Sequence, residues 1–202
     1  LREGGFLWGG TPDKRDHQKS IGEIISQSYG QKPSTLLFVL GDNFYDDGID
    51  SVNHERFKTD FHEVYQVPSF VVLGNHDFNI HGFGVQGKRG QYIPGMGTGT
   101  PPMSRAMLQV EHTYDRANTT NNWNMPNRYY ALFSEQNKVD FFCLDSNTLP
   151  FDQDQISWLR DVYAQRADNG HRKVLIQHHP FLAAGSRLTP GHFEGDVAQY
   201  AR

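Results

Sequence analysis

The 202-residue sequence has little cysteine, no long apolar run and no large surplus of charge of one sign. Its single cysteine, Cys143, excludes an intrachain disulfide and is expected to be a small buried apolar residue. No apolar run approaches the roughly 20 residues that a membrane-spanning helix needs. The formal net charge of -4 gives no general attraction to nucleic acid or to an anionic membrane. We therefore expect neither nucleic acid nor a membrane as a partner, and the cysteine content leaves the cellular compartment open.

What the sequence does contain is a regular alternation of short apolar runs with helical patterns between residues 35 and 180. This alternation is typical of βαβ units and predicts an α/β fold with a largely buried sheet. We expect one domain over residues 1–202, with an irregular insertion at about 79–126 that holds at most a short helix around 103–110. Strands are predicted at 35–40, 69–73, 128–135, 138–145 and 173–178, a crossover helix at 51–66 and a further helix at 152–168.

Three of these predicted strands are followed directly by polar residues that can bind a metal ion. The sequence GDNFY follows the first at 41–45, GNHD follows the second at 74–77, and HHP follows the last at 178–180. In an open α/β sheet, ligands bind beyond the carboxyl ends of the strands. Any one of these segments alone could be an ordinary turn or a pair of core histidines, but three of them in this arrangement favour a functional site.

The residue types in the three segments suit a pair of metal ions that act on a phosphate ester. Carboxylate, amide and imidazole groups bind hard or borderline cations, and the carboxylate of Asp42 could bridge two of them. Two metal ions can hold a phosphoryl group and activate a water molecule. His76 is placed to protonate the leaving oxygen, and Asp77 is expected to orient the His76 imidazole.

These segments resemble the motifs of purple acid phosphatases of the tartrate-resistant type, within the calcineurin-like metallophosphoesterases. The resemblance extends to RFKTDFHEVY after the first motif and to DQISWLRDVYAQ before the last. It implies a layered α/β/β/α sandwich, hydrolysis of small phosphate monoesters, and a cofactor pair of Fe(III) with a second divalent metal, Fe, Zn or Mn. It also implies that Asp42 bridges the metals, Tyr45 binds the iron, Asn75 and His178 bind the divalent ion, and His76 is the general acid.

Three further residues are candidates for substrate binding, with surface or core roles as the open alternative: His179, Arg187 and His192. The family resemblance also suggests a secreted or periplasmic location. Asn118 begins the tripeptide Asn-Thr-Thr, which is a glycosylation sequon by pattern.

The chain departs from the family pattern at both ends. Leu7, in the segment FLWGG, stands where the family has a metal-binding aspartate, and no GHxH motif follows the HHP segment. We expect that the first strand and the C-terminal part with GHxH are missing, so that the chain is a piece of an active phosphatase. The alternatives are a non-catalytic pseudophosphatase or scaffold on the same fold, and a phosphodiesterase or nucleotidase.

Overall fold

The computed structural model describes residues 12–30, 32, 36–45, 47–78, 102–115, 118, 122–149 and 152–180. Three α-helices and one π-helical segment are present in this part of the chain: α1 (Pro12–Tyr29), the π-helical segment (Phe57–His62), α2 (Pro102–His112) and α3 (Gln153–Arg166). The strands are β1 (Leu37–Val39), β2 (Ser69–Val71), β3 (Trp123–Asn124), β4 (Tyr130–Ser134), β5 (Val139–Cys143) and β6 (Arg172–Ile176). No helix in the described ranges is both long and apolar enough to cross a membrane.

The strands form two sheets that pack face to face. Strands β1, β2 and β3 make a parallel sheet, whereas β5 pairs antiparallel with β4 and parallel with β6. Aromatic rings join the two sheets: the ring centroids of Phe38 and Phe141 lie 4.8 Å apart, and those of Phe70 and Tyr130 lie 6.5 Å apart. The Tyr130 hydroxyl also donates to the Val71 carbonyl at 2.9 Å.

Helices cover the outer faces of this sandwich. Val39 and Val71 alternate with the inward Phe38 and Phe70 and belong to the main core cluster, together with residues of the π-helical segment and α2. On the other outer face, the Phe142 ring meets the Tyr163 ring of α3 at 6.0 Å. The predicted layered α/β/β/α fold is therefore confirmed.

The structure differs from the sequence prediction in part of the region 79–126, of which residues 79–101, 116–117 and 119–121 lie outside the described residues. The short helix is present, as α2, but β3 also lies here and pairs with β2, which the sequence analysis does not predict. A strand of two residues is too short for an alternating pattern to reveal it. Helix α1 is also missing from the prediction, because its apolar residues Ile21 and Ile24 are exposed and form no clear buried stripe.

Two other predictions change in extent. The expected crossover helix at 51–66 is reduced to a short helical stretch that ends in the π-helical segment. Strand β6, expected to be buried, leaves Leu175 47% exposed, and within the described ranges it pairs with β5 alone.

Cys143 and Asn118 both lie in the interior. Cys143 is completely buried, as predicted from its apolar neighbours. Asn118 is buried too, and its amide nitrogen, the atom that glycosylation would modify, donates to the carbonyls of Thr113 and Trp123 at 3.3 and 3.0 Å. In this fold the Asn118 amide is a structural donor that links Thr113, just after α2, to Trp123 of β3.

Candidate metal centre

The turn after β1 is shaped by two glycines that allow it to touch the turn after β2. Gly41 has a φ of 92°, and Asp42, which follows it, also has a positive φ of 54°. A Cβ atom on Gly41 would lie 2.6 Å from the Gly74 nitrogen, and one on Gly74 would lie 2.2 Å from Asp42 Oδ1. Only glycine at both positions permits this approach. The left-handed conformation of Asp42 costs roughly 1–2 kcal/mol, which the surrounding bonds must offset.

The carboxylate of Asp42 is the point on which the predicted ligands converge. The Tyr45 hydroxyl bonds Asp42 Oδ2. On the other side, His178 Nε2 lies 3.5 Å from Asp42 Oδ1, which also accepts from the His76 backbone N–H at 3.1 Å. The two carboxylate oxygens thus face two different predicted ligands.

The orientation of His178 leaves its outer nitrogen available to a metal ion. His178 Nδ1 lies 2.8 Å from the Leu40 carbonyl oxygen, and a carbonyl can only accept, so Nδ1 carries the proton. In the neutral ring Nε2 then holds the lone pair, the form in which histidine binds metals. With that ring form, His178 Nε2 and Asp42 Oδ1 would present lone pairs to each other across 3.5 Å, an arrangement that a cation would stabilise.

Tyr45 and His76 lie against each other beside this carboxylate. Their ring centroids are 4.1 Å apart at an interplanar angle of 40°. The backbone carbonyl of Tyr45 accepts from Arg56 Nη1 at 2.7 Å, and this bond fixes the end of the first turn. Asn75 and His76 are half-buried in the second turn. The structure therefore brings His76, Tyr45, Asp42 and His178 to one edge of the sandwich, with Asn75 next to His76 in the chain.

Asp77 is directed away from His76 and into the first turn. Its carboxylate is completely buried and accepts hydrogen bonds only from the backbone N–H groups of Asn43, Phe44 and Gly74 and from the side chains of Asn43 and Gln109, all within the described ranges. Burial raises the pKa of Asp77 to about 6, against the lowering effect of these donors. These bonds join the two turns, and none of them is to the His76 imidazole, which Asp77 is expected to orient.

His179 lies in the core. It is buried, and its Nδ1 lies 2.8 Å from the Ser146 hydroxyl, which also accepts from the His179 backbone N–H. Burial lowers the pKa of His179 to about 2. This position supports a structural role and not the predicted contact with substrate. The other two substrate-binding candidates, Arg187 and His192, lie outside the described residues, as does Leu7.

Two groups near the site were missed by the sequence analysis. One is the turn Asp145-Ser146-Asn147 after β5, whose Asn147 amide donates to the Leu73 carbonyl at 3.5 Å. The same rule of polar residues at the carboxyl end of a strand could have found it. The other is Gln109 on α2, which no local pattern marks.

Within the part of the chain that the structure describes, no three His, Cys, Asp or Glu side chains are arranged to hold a metal ion. Of the four predicted metal ligands, only Asp42 and His178 are of these residue types, and the other two are Tyr45 and Asn75. A phenolate and a carboxylate are hard oxygen donors, whereas an imidazole and an amide suit a borderline divalent ion. The donor chemistry present here fits two different cations that share Asp42.

Comparison with known proteins identifies the family of this chain. Residues 14–199 match the sequence profile of the calcineurin-like phosphoesterases. The chain belongs to the calcineurin-like phosphoesterase family. The family resemblance drawn from the three motifs is thereby confirmed.

Relatives within this family carry acid phosphatase names. Human tartrate-resistant acid phosphatase type 5 is 23% identical over 221 aligned positions, which cover 91% of this chain and 59% of the human protein. The rabbit protein of the same name is 36% identical over 83 residues, or 35% of this chain and 24% of its own length. Purple acid phosphatase 7 of Arabidopsis thaliana is 48% identical over 48 residues, 21% of this chain and 15% of that protein. The chain thus spans less than two thirds of the length of each.

Proposed function

We propose that this protein hydrolyses phosphate monoesters at a centre of two metal ions, Fe(III) and a divalent Fe, Zn or Mn ion. The observation that carries the proposal is the position of Asp42, whose Oδ2 meets the Tyr45 hydroxyl while its Oδ1 faces His178 Nε2. A carboxylate that bridges two unlike cations needs a different type of donor beside each of its oxygens, and Asp42 has this arrangement.

The donor set divides between the two ions by its chemistry. Tyr45 and Asp42 would hold Fe(III), and Asp42, Asn75 and His178 would hold the divalent ion. When bound, such a pair supplies charge stabilisation for the phosphoryl group and a nucleophilic water near neutral pH. The hydrogen bond from His178 to Leu40 supports this division, because it keeps the lone pair of His178 on the side of Asp42.

The residues of the chain itself supply proton transfer and position. His76 would donate a proton to the leaving oxygen of the substrate, and its ring is held against the Tyr45 ring at 4.1 Å. Asp77 holds the first turn against the second through its bonds to Asn43 and Gly74. The substrate class is a small phosphate ester, in agreement with the names of the relatives.

A spectroscopic experiment on the full-length protein tests the iron site. Reconstitution with Fe(III) should produce a visible tyrosinate charge-transfer band, and Tyr45→Phe should abolish it. Tyr130→Phe is the control, because the Tyr130 hydroxyl is also hydrogen-bonded, but to the Val71 backbone carbonyl instead of to a predicted metal ligand. A band that survives in Tyr45→Phe, or that never forms in the wild type, would reject the iron assignment.

Turnover of model substrates separates the remaining alternatives. Hydrolysis of p-nitrophenyl phosphate in preference to bis(p-nitrophenyl) phosphate would support the monoesterase. The reverse preference would indicate a phosphodiesterase. A folded full-length protein that binds no metal ion and hydrolyses neither compound would instead be the non-catalytic scaffold.

A further inference from the structure

Gln109, on α2, is a completely buried glutamine that touches both turns of the candidate metal centre. Its Nε2 donates to Asp77 Oδ1 at 2.9 Å, and its Oε1 accepts from Asn43 Nδ2 at 3.1 Å. Asn43 Nδ2 in turn lies 3.2 Å from Asp77 Oδ2. The three side chains therefore form a closed ring of hydrogen bonds beneath the turn that carries Asp42.

An amide is the group that this position requires. One glutamine side chain supplies both a donor to Asp77 and an acceptor to the Asn43 amide nitrogen, which also donates to the Val72 carbonyl at 3.0 Å. A methionine of similar length would donate no hydrogen bond to Asp77, so the completely buried carboxylate would lose one of its donors, a costly change in the interior.

Gln109 is also fixed in place by the packing of its helix. Its backbone carbonyl accepts from the indole Nε1 of Trp123 at 3.1 Å. Ala106 and Val110, on the same helix, belong to the main core cluster. The amide is thus anchored to the rigid part of the fold and not to a loop.

The ring acts on Asp42 through the backbone that follows it. The Asp77 carboxylate accepts from the N–H groups of Asn43 and Phe44 at 2.9 and 3.2 Å, immediately after Asp42. Asp42 itself is in the left-handed conformation, which needs such outside support. A weakening of the ring would allow the turn to relax and the Asp42 carboxylate to move away from Tyr45 and His178.

We propose that Gln109 is a positioning residue for the metal centre: by bonding Asp77 and Asn43 together, it fixes the turn that aims Asp42 at Tyr45 and His178. This inference rests on the proposed function, because that function is what makes the position of Asp42 matter. Within the described ranges Gln109 makes no hydrogen bond to the proposed ligands, and its bonds are to Asn43 and Asp77.

The test compares Gln109→Met with Gln155→Met in the full-length protein. Gln155 is a matched control, because it is also completely buried on a helix and its amide bonds the backbone of a strand-end turn, at Asp145. Zn(II) and Fe(III) affinities are measured by competition with a chromophoric chelator, and stability by urea unfolding. We expect both variants to lose similar stability, whereas Gln109→Met alone binds metal about 10- to 100-fold more weakly, the usual effect of losing a residue that orients ligands.

The outcomes separate this inference from the proposed function. A wild-type protein that binds no metal ion would overturn the proposed function and the inference with it. A wild type that binds metals with the same affinity as Gln109→Met, or an equal loss of affinity in both variants, would overturn the inference alone. If Gln109→Met does not fold, the comparison of Gln109→Asn with Gln155→Asn decides by the same criterion, since the shorter amide cannot reach both partners.

Discussion

Asp77 and Asp140 are both completely buried aspartates, at opposite ends of the strands, and they have opposite surroundings. Asp140, near the start of β5, accepts from Arg166 at 2.8 Å and from Asn169 and His171 at 2.9 Å, and Lys173 Nζ lies 3.2 Å away. Asp77, in the turn after β2, accepts only from neutral amide groups within the described ranges. One carboxylate is neutralised by side chains of the protein, and the other is not.

The difference appears in the acidity of the two groups. The Arg166 guanidinium and its neighbours hold the pKa of Asp140 far below its usual range, whereas burial raises the pKa of Asp77 to about 6. A carboxylate that the chain itself neutralises is a structural element. Asp77 remains an acceptor that joins the two turns, whereas Asp42, between Tyr45 and His178, is the carboxylate that we propose to meet cations from solution.

The largest predicted effect on stability is that of Asp140→Asn. The substitution leaves Arg166, Lys173 and His171 without their shared carboxylate, and breaking a buried ion pair from one side costs about 3–5 kcal/mol. Urea unfolding measures the loss, with the exposed Asp161→Asn on α3 as a control. Metal affinity should equal that of the wild type. A loss of less than about 1 kcal/mol, as for a surface ion pair, would contradict the conclusion that the neutralised Asp140 carboxylate is a structural element.

The second prediction concerns the pH dependence of the same cluster. The pKa of Asp140 is lower in the folded than in the unfolded chain, where it is near 3.8, so its stabilisation is present above that pH and is lost as the pH falls below it. The difference in unfolding free energy between wild type and Asp140→Asn should therefore be largest at about pH 6 and shrink toward about pH 2. Urea unfolding at several pH values measures it. A difference that stays constant with pH would contradict the charged state of the cluster.

The smallest predicted effect on stability is that of Asp42→Asn. Asparagine adopts the left-handed conformation readily, so the turn should persist and the unfolding free energy should change by less than about 1 kcal/mol. Metal binding should nevertheless be lost, because the bridging carboxylate is gone. Metal content by elemental analysis, together with urea unfolding, checks both parts. Retention of two metal ions per chain would show that Asp42 does not bridge them.

The family motifs could be predicted from the sequence because their information is local. Each motif is a short polar segment directly after an apolar strand, and the rule that such segments meet at one edge of the sheet requires no knowledge of packing. The layered α/β fold could be predicted from the alternation of short apolar runs with helical patterns along the chain. Elements without a strong local pattern were missed, namely the two-residue β3 and helix α1 with its exposed isoleucines.

The amino-acid sequence by itself determined the alternation of strands and helices, the strand ends that carry the polar segments, and the candidate residues Asp42, Tyr45, His76 and His178 within them. Only the tertiary structure decided that Asp77 joins the turns, that His179 lies in the core, and that Gln109 completes the support of Asp42. Gln109 is 66 residues from Asn43 and 32 from Asp77 in the chain. Contacts over such separations depend on how helices pack onto the sheet, and a local pattern of residues carries no record of that packing.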